Sequence, residues 1–169
     1  MHVLDTAALL LRATLAVVLC AHGWNHLFGA GGLKGTTSWF ASMGLRPARL
    51  QALASGVTEL AAGAAVLLGL FTSLACGAVI GVMAVALVTA HRRNGFFIFN
   101  SGQGWEYVGV LAMTALSLAV LGPGRASVDH ALGLAERLDG LTGFLLSAVL
   151  GLVGAAVLLA TSWRPSRVG

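Results

Sequence analysis

The residues in this chain best equipped for chemistry are His22 and His26. They stand four positions apart at the end of a long apolar run, inside AHGWNHLFGAGG. On a helix, positions i and i+4 share a face one turn apart, so the two imidazoles can hold one ligand or pass a proton between them. Two further groups stand where apolar runs meet polar loops. His91 opens HRRNGFFIFNSGQG, and Glu106 follows Trp105 at the start of the next apolar run. Two ionisable residues fall inside apolar runs, Arg12 in the first and Glu59 in the second. A charge at the centre of a bilayer costs on the order of 3 kcal/mol, so such a group faces the protein interior and finds a partner.

These residues fit more than one chemistry. His22, His26, His91 and Glu106 make a three-nitrogen, one-oxygen set of the kind that binds zinc, copper or iron. The same imidazoles and carboxylate, beside tryptophans at the mouth of an apolar bundle, suit a quinone or similar ring. Histidine then hydrogen-bonds the carbonyl, and Glu or His carries protons. The plainest use is capping helix ends and holding interfacial water. Arg12 and Glu59 are within reach of each other at mid-depth, as an ion pair fixing helix register or as a relay for protons or anions; a lipid-snorkelling Arg12 is the other option.

The elements that must position these groups follow from composition. The chain has 169 residues, 57% hydrophobic and 9% charged, with mean hydropathy +0.89. A soluble domain carries roughly 25% charged residues, so this is an integral membrane protein. Long apolar runs without alternation make it a helical bundle rather than a barrel. Spans are expected at about 7–28, 50–70, 74–90, 105–121 and 141–163, with all three prolines outside them. The first run is too long for a signal-peptide core and is read as a mature span. Thr36–Met43 is expected as an interfacial helix with Trp39 and Phe40 towards lipid. Ser127–Leu138 is expected as another, with Asp129, His130, Glu136 and Arg137 on its wet face. Gly77 and Gly81 form a GxxxG pair, and Ser147, Gly151 and Ala155 repeat the small-residue spacing in the last span. FFIF in the loop after His91 is expected to dip back to the interface.

The net charge of +4 does not point to nucleic acid, because the basic residues sit at span ends, where they set orientation and meet anionic head groups. Lys34, Arg46, Arg49, Arg92, Arg93, Arg164 and Arg167 share one side; Arg125 and Arg137 lie on the other, with Arg12 entering from it. That bias puts the C-terminus in the cytoplasm and the N-terminus outside. His22, His26, His91, Trp105 and Glu106 then all approach the cytoplasmic surface. The two cysteines, Cys20 and Cys76, form no CxxC and read as small buried hydrophobes.

In order along the chain come Arg12, HG at His22–Gly23, LFGAGGLKGTTSWFASMGL, TELAAGAAVLLGLFT with Glu59, HRRNGFF, GQGWEY and LGPGRASVD. This series closely resembles the DoxX family of bacterial membrane proteins, over about Leu10 to Asp129. The resemblance implies a four-helix membrane core at about 7–126 and a bacterial plasma-membrane location. It also implies an association with oxidoreductase systems. One branch includes the membrane subunit of an archaeal thiosulfate:quinone oxidoreductase. Another, in mycobacteria, is a membrane partner of a superoxide dismutase and a sulfurtransferase. Carried onto this chain, the family's motif positions are Arg12, His22, Gly23, Glu59, His91, Asn94, Gly95, Trp105 and Glu106, without assigned roles. His26 stands where the family pattern HGxxKL has lysine, which makes the His22/His26 pair particular to this chain.

The expected protein is thus one membrane domain: a four-helix bundle, an interfacial helix at about 127–138 and a fifth, accessory span at about 141–163. Its expected role is a redox-associated membrane subunit binding a quinone, a transition metal or an electron-transfer partner. The residues expected to carry that role are Arg12, His22, His26, Glu59, His91, Trp105 and Glu106. The alternatives are a non-catalytic scaffold for an oxidoreductase and a small-solute or ion transporter.

Overall fold

The computed structural model describes residues 2–165, so Arg167, one of the charges counted for orientation, lies outside the described residues. The described chain is helical throughout, with one isolated β-bridge. Its helices are α1 (Val3–Phe28), α2 (Gly32–Ser42), α3 (Ala48–Leu68), α4 (Thr72–Ala86), α5 (Glu106–Leu121), α6 (Val128–Ala131), α7 (Ala135–Leu138) and α8 (Gly140–Ser162). A π-helical turn, Leu87–His91, extends α4.

Four of these are long and apolar enough to cross a membrane: α1, α3, α4 with its π turn, and α8. At 16 residues α5 is shorter, about 24 Å against a hydrocarbon core of about 30 Å. It nevertheless runs from one end of the bundle to the other. Its first residue, Glu106, accepts from the Ile98 amide in the loop that follows His91, and the carbonyl of Pro123, just past its last turn, accepts from Arg12 in the first half of α1. The ends of the bundle therefore sort as the sequence predicts: His22, His26 and His91 at one end, Arg12 at the other.

Small residues set the spacing of the helices. Gly23 of α1 faces Gly56 of α3 so closely that a Cβ at Gly23 would lie 2.7 Å from the Gly56 carbonyl oxygen. Across α4 and α8, a Cβ at Gly151 would lie 2.7 Å from the carbonyl oxygen of Gly77, and one at Gly81 would lie 3.2 Å from that of Gly151. The GxxxG pair and the Ser147–Gly151–Ala155 stripe are thus two faces of one contact. α8, the expected accessory span, rests on α4 and α5, and its small-residue face is used inside the chain. Its end is stitched to the α2–α3 linker. Leu45 and Trp163 form the β-bridge, Arg46 N donates to Ser162 O, Arg164 N donates to Gly44 O, and the Trp163 indole donates to Met43 O.

The polar connections differ from the sequence reading in three ways. The 127–138 segment is not one amphipathic helix but two single turns, parted at Gly133 in the left-handed region (φ +67°). Asp129 is not on a wet face: it is 1% exposed and accepts from the amides of Phe71 and Thr72 and from the Thr72 hydroxyl at 2.7–2.8 Å. Phe40 faces inward, against Leu45 and Ala52, because α2 folds back onto α1 and α3.

Candidate functional site

Arg12 and Glu59 do not meet. The Arg12 guanidinium donates to the carbonyls of Val66 and Leu67 at the end of α3, and to those of Pro123 (2.9 Å) and Ala126 (2.7 Å) in the loop after α5. Its planar fork thereby ties α1 to the end of α3 and to the 123–126 loop, near buried Asp129. Arg12 is a structural clamp, and LGPGRASVD supplies two of its four acceptors.

Glu59 looks the other way, towards the histidines. Gly23 and Gly56 bring α1 and α3 close enough for His26 Nε2 to stand 3.7 Å from Glu59 Oε2. Glu59 Oε1 accepts weakly from the Ser55 hydroxyl at 3.4 Å, one turn earlier. Glu59 Oε2 has no hydrogen-bond partner, although the side chain is only 5% exposed. A buried, unsatisfied carboxylate oxygen costs more than an ordinary unmade hydrogen bond, so it marks a place prepared for a donor.

Around that oxygen the side chains form a chain of polar groups. His22 lies one turn before His26, with ring centroids 6.5 Å apart. The Tyr107 hydroxyl of α5 is 3.2 Å from His22 Nε2. Trp39 of α2 stacks on His26 at 6.0 Å. These groups line one cavity of about 770 Å³, bounded by all the long helices and α2. Its polar lining (Gln51, Ser55, Glu59, His22, His26, Tyr107) gathers towards one end. The wall along Val18, Leu19, Ala78, Gly81, Leu150 and Gly151 is apolar. The π turn contributes Thr89, Ala90 and His91 to the wall; such turns recur at functional sites because they push one wall of a helix outward.

The other expected site residues are elsewhere or otherwise engaged. His91 lines the cavity mouth, but its Nδ1 donates to Gln103 O at 2.9 Å. Glu106 accepts from the Ile98 amide and braces the loop, and Trp105 packs on Phe96 outside the cavity. Asn94 holds the same loop by donating to the carbonyls of Ala90, Gly102 and Gln103. The four-ligand set His22, His26, His91 and Glu106 is therefore not brought together. Among the described residues no three of His, Cys, Asp and Glu come close enough to hold a metal ion. Tyr107 is the site residue that the sequence reading missed. Its signal was the inward spacing of Val108, Leu111, Ala115 and Leu118, which places position 107 beside the buried face and position 106 off it.

A chain whose described residues form four membrane-length helices, folded around a cavity with a polar end, is a multi-pass membrane protein. A sequence model of the DoxX family matches residues 7–92, from α1 through the π turn, and the chain belongs to that family. No curated protein and no solved structure matches the chain. The matched stretch carries His22, His26, Glu59 and His91, whereas Tyr107 and the whole of α8 lie beyond it.

Proposed function

We propose that this protein is a redox-associated membrane subunit that binds a quinone in the cavity, with the ring at the His22, His26, Glu59 and Tyr107 end. The observation that carries the reading is the unpartnered Glu59 Oε2, buried at the polar end of a cavity whose lining is otherwise mostly apolar. A quinone matches that polarity: its carbonyls accept from histidine or tyrosine, its hydroxylated form donates to a carboxylate, and its chain is apolar. Bound there, the quinone supplies two-electron chemistry. The chain's own groups orient the ring and hold protons along the line from Tyr107 to Glu59. Cys20 and Cys76 are free thiols on separate helices, so this chain offers no dithiol to exchange electrons with the ring. A partner oxidoreductase in a membrane complex fills that role.

In this reading α5 is a fifth crossing, its short length made up by the flanking loops. α2 and the α6–α7 turns lie at the two interfaces of a bacterial plasma membrane. The bias of basic residues supports a cytoplasmic histidine end.

The test is direct. Detergent-purified protein is expected to carry quinone in its lipid extract by mass spectrometry. Added quinone is expected to quench tryptophan emission, since Trp39 stacks on His26 at the site. Glu59→Gln is expected to weaken binding of the reduced, hydroxyl-bearing form about tenfold, as loss of one hydrogen bond to a buried carboxylate does. Wild-type protein that neither carries nor binds quinone overturns the proposal.

A further inference from the structure

The cavity is not sealed from the side. α3 contributes Ala54, Ser55 and Thr58 to its wall, and α8 contributes Leu150, Gly151, Gly154 and Leu158, yet α3 and α8 are not packed along each other. α4 lies between them as a floor of Leu74, Ala78, Gly81 and Val85. From Leu74 to Val85 that floor runs about 17 Å along the helix axis. The two walls join at the histidine end, where Gln51 Nε2 donates to the Ser162 hydroxyl and the Leu45–Trp163 bridge closes the crossing. Away from that stitch the lips are Ala54 and Gly154, both exposed, and a Cβ at Gly154 would have nothing within 4 Å. The other opening, a recess of about 500 Å³ between Trp39, Met43, His91 and Gln103, faces the loops.

We infer that the slit between α3 and α8 is a lateral portal for a long-chain, membrane-dissolved quinone: its ring passes between the helices to Glu59 and its chain stays in the slit on α4. The inference rests on the quinone reading of the cavity and adds the route and the tail. Three observations specify the occupant. The slit is continuous with a cavity holding a buried carboxylate oxygen that lacks a donor. Apart from the Ser55 and Thr58 hydroxyls of α3, its floor on α4 and its α8 wall are apolar, which suits a hydrocarbon chain better than a charged solute. Its lips, Ala54 and Gly154, are exposed and carry no polar side chain, while the second recess is lined by His91 and Gln103 and is the one suited to protons.

The experiment uses the full chain in phosphatidylcholine–phosphatidylglycerol vesicles and compares a long-chain quinone with a tail-less, water-soluble one, by stopped-flow quenching of tryptophan emission. Gly154→Phe and Ala54→Phe narrow the slit from opposite walls without touching the polar end. Each is expected to slow binding of the long-chain quinone about tenfold and to leave the tail-less quinone unchanged. Unchanged rates for both quinones in both variants overturn the portal, as do rates slowed equally for both, and the ring site then stands. A wild-type protein that binds neither quinone overturns the ring site and the portal together. Phospholipid alone in the extract, with no competition from the long-chain quinone, makes the slit a lipid groove. The tail-less quinone then judges the ring site by itself.

Discussion

Arg12 and Glu59 look alike in the sequence, each a charge inside an apolar run, and the structure gives them opposite fates. Arg12 is satisfied by carbonyls on two sides, because its fork reaches both the end of α3 and the 123–126 loop. Lysine presents one point charge and cannot span those acceptors. Arg12→Lys is therefore expected to lose about 3 kcal/mol of stability, read as a lower unfolding temperature in detergent. Asp129→Asn, which keeps one acceptor oxygen, is expected to lose less. A variant pair with unchanged unfolding temperatures would show that the clamp does not hold the fold. That both charged residues are special was legible from hydropathy alone. Their partners were not, because backbone carbonyls left free at helix ends carry no residue-type signal. Glu59's lack of a partner was invisible for the same reason: only geometry shows His26 stopping at 3.7 Å.

Among the elements, hydropathy predicted the long helices well and their surroundings poorly. The boundaries of α1, α3 and α5 agree with the predicted spans to within a few residues, because the membrane imposes length on an apolar helix. The 127–138 segment failed because one glycine breaks the helical phase, after which periodicity no longer says which side Asp129 faces. The orientation of α2 failed because Trp39 and Phe40 read as lipid anchors, whereas Thr36 and Phe40, one turn apart, form its buried face. The glycine contact between α4 and α8 gives a sharp expectation at this scale. Gly151→Leu drives a side chain into the Gly77 carbonyl and is expected to cost about 2 kcal/mol. Gly154→Ala, one turn along and facing open space, is expected to stay within about 0.5 kcal/mol of wild type. Thermal unfolding of the two variants side by side decides it; equal losses would mean that the α4–α8 contact is not as close as described.

For the molecule as a whole, orientation is the open consequence of the charge pattern. Lys34, Arg46, Arg49, Arg92, Arg93 and Arg164 belong to the histidine end in the structure, and Arg125 and Arg137 to the other. A reporter fused at the C-terminus is expected to read as cytoplasmic, and an external reading would reverse the side from which protons reach His91. The exposed Phe97, Ile98 and Phe99 of the 92–105 loop lie on that same end beside Arg92 and Arg93, as a segment held at an anionic lipid surface does.

The stitch between Leu45 and Trp163 joins residues separated by most of the chain. Synthesis delivers α1 to α5 first, so the glycine face of α4 waits uncovered until α8 emerges. Of the described helices, the cavity's second wall, α8, is made last. A nascent chain cannot enclose the cavity before α8 is made, and a stop codon between the family-matched region and α8 leaves a bundle with an open flank, a natural mark for membrane proteases.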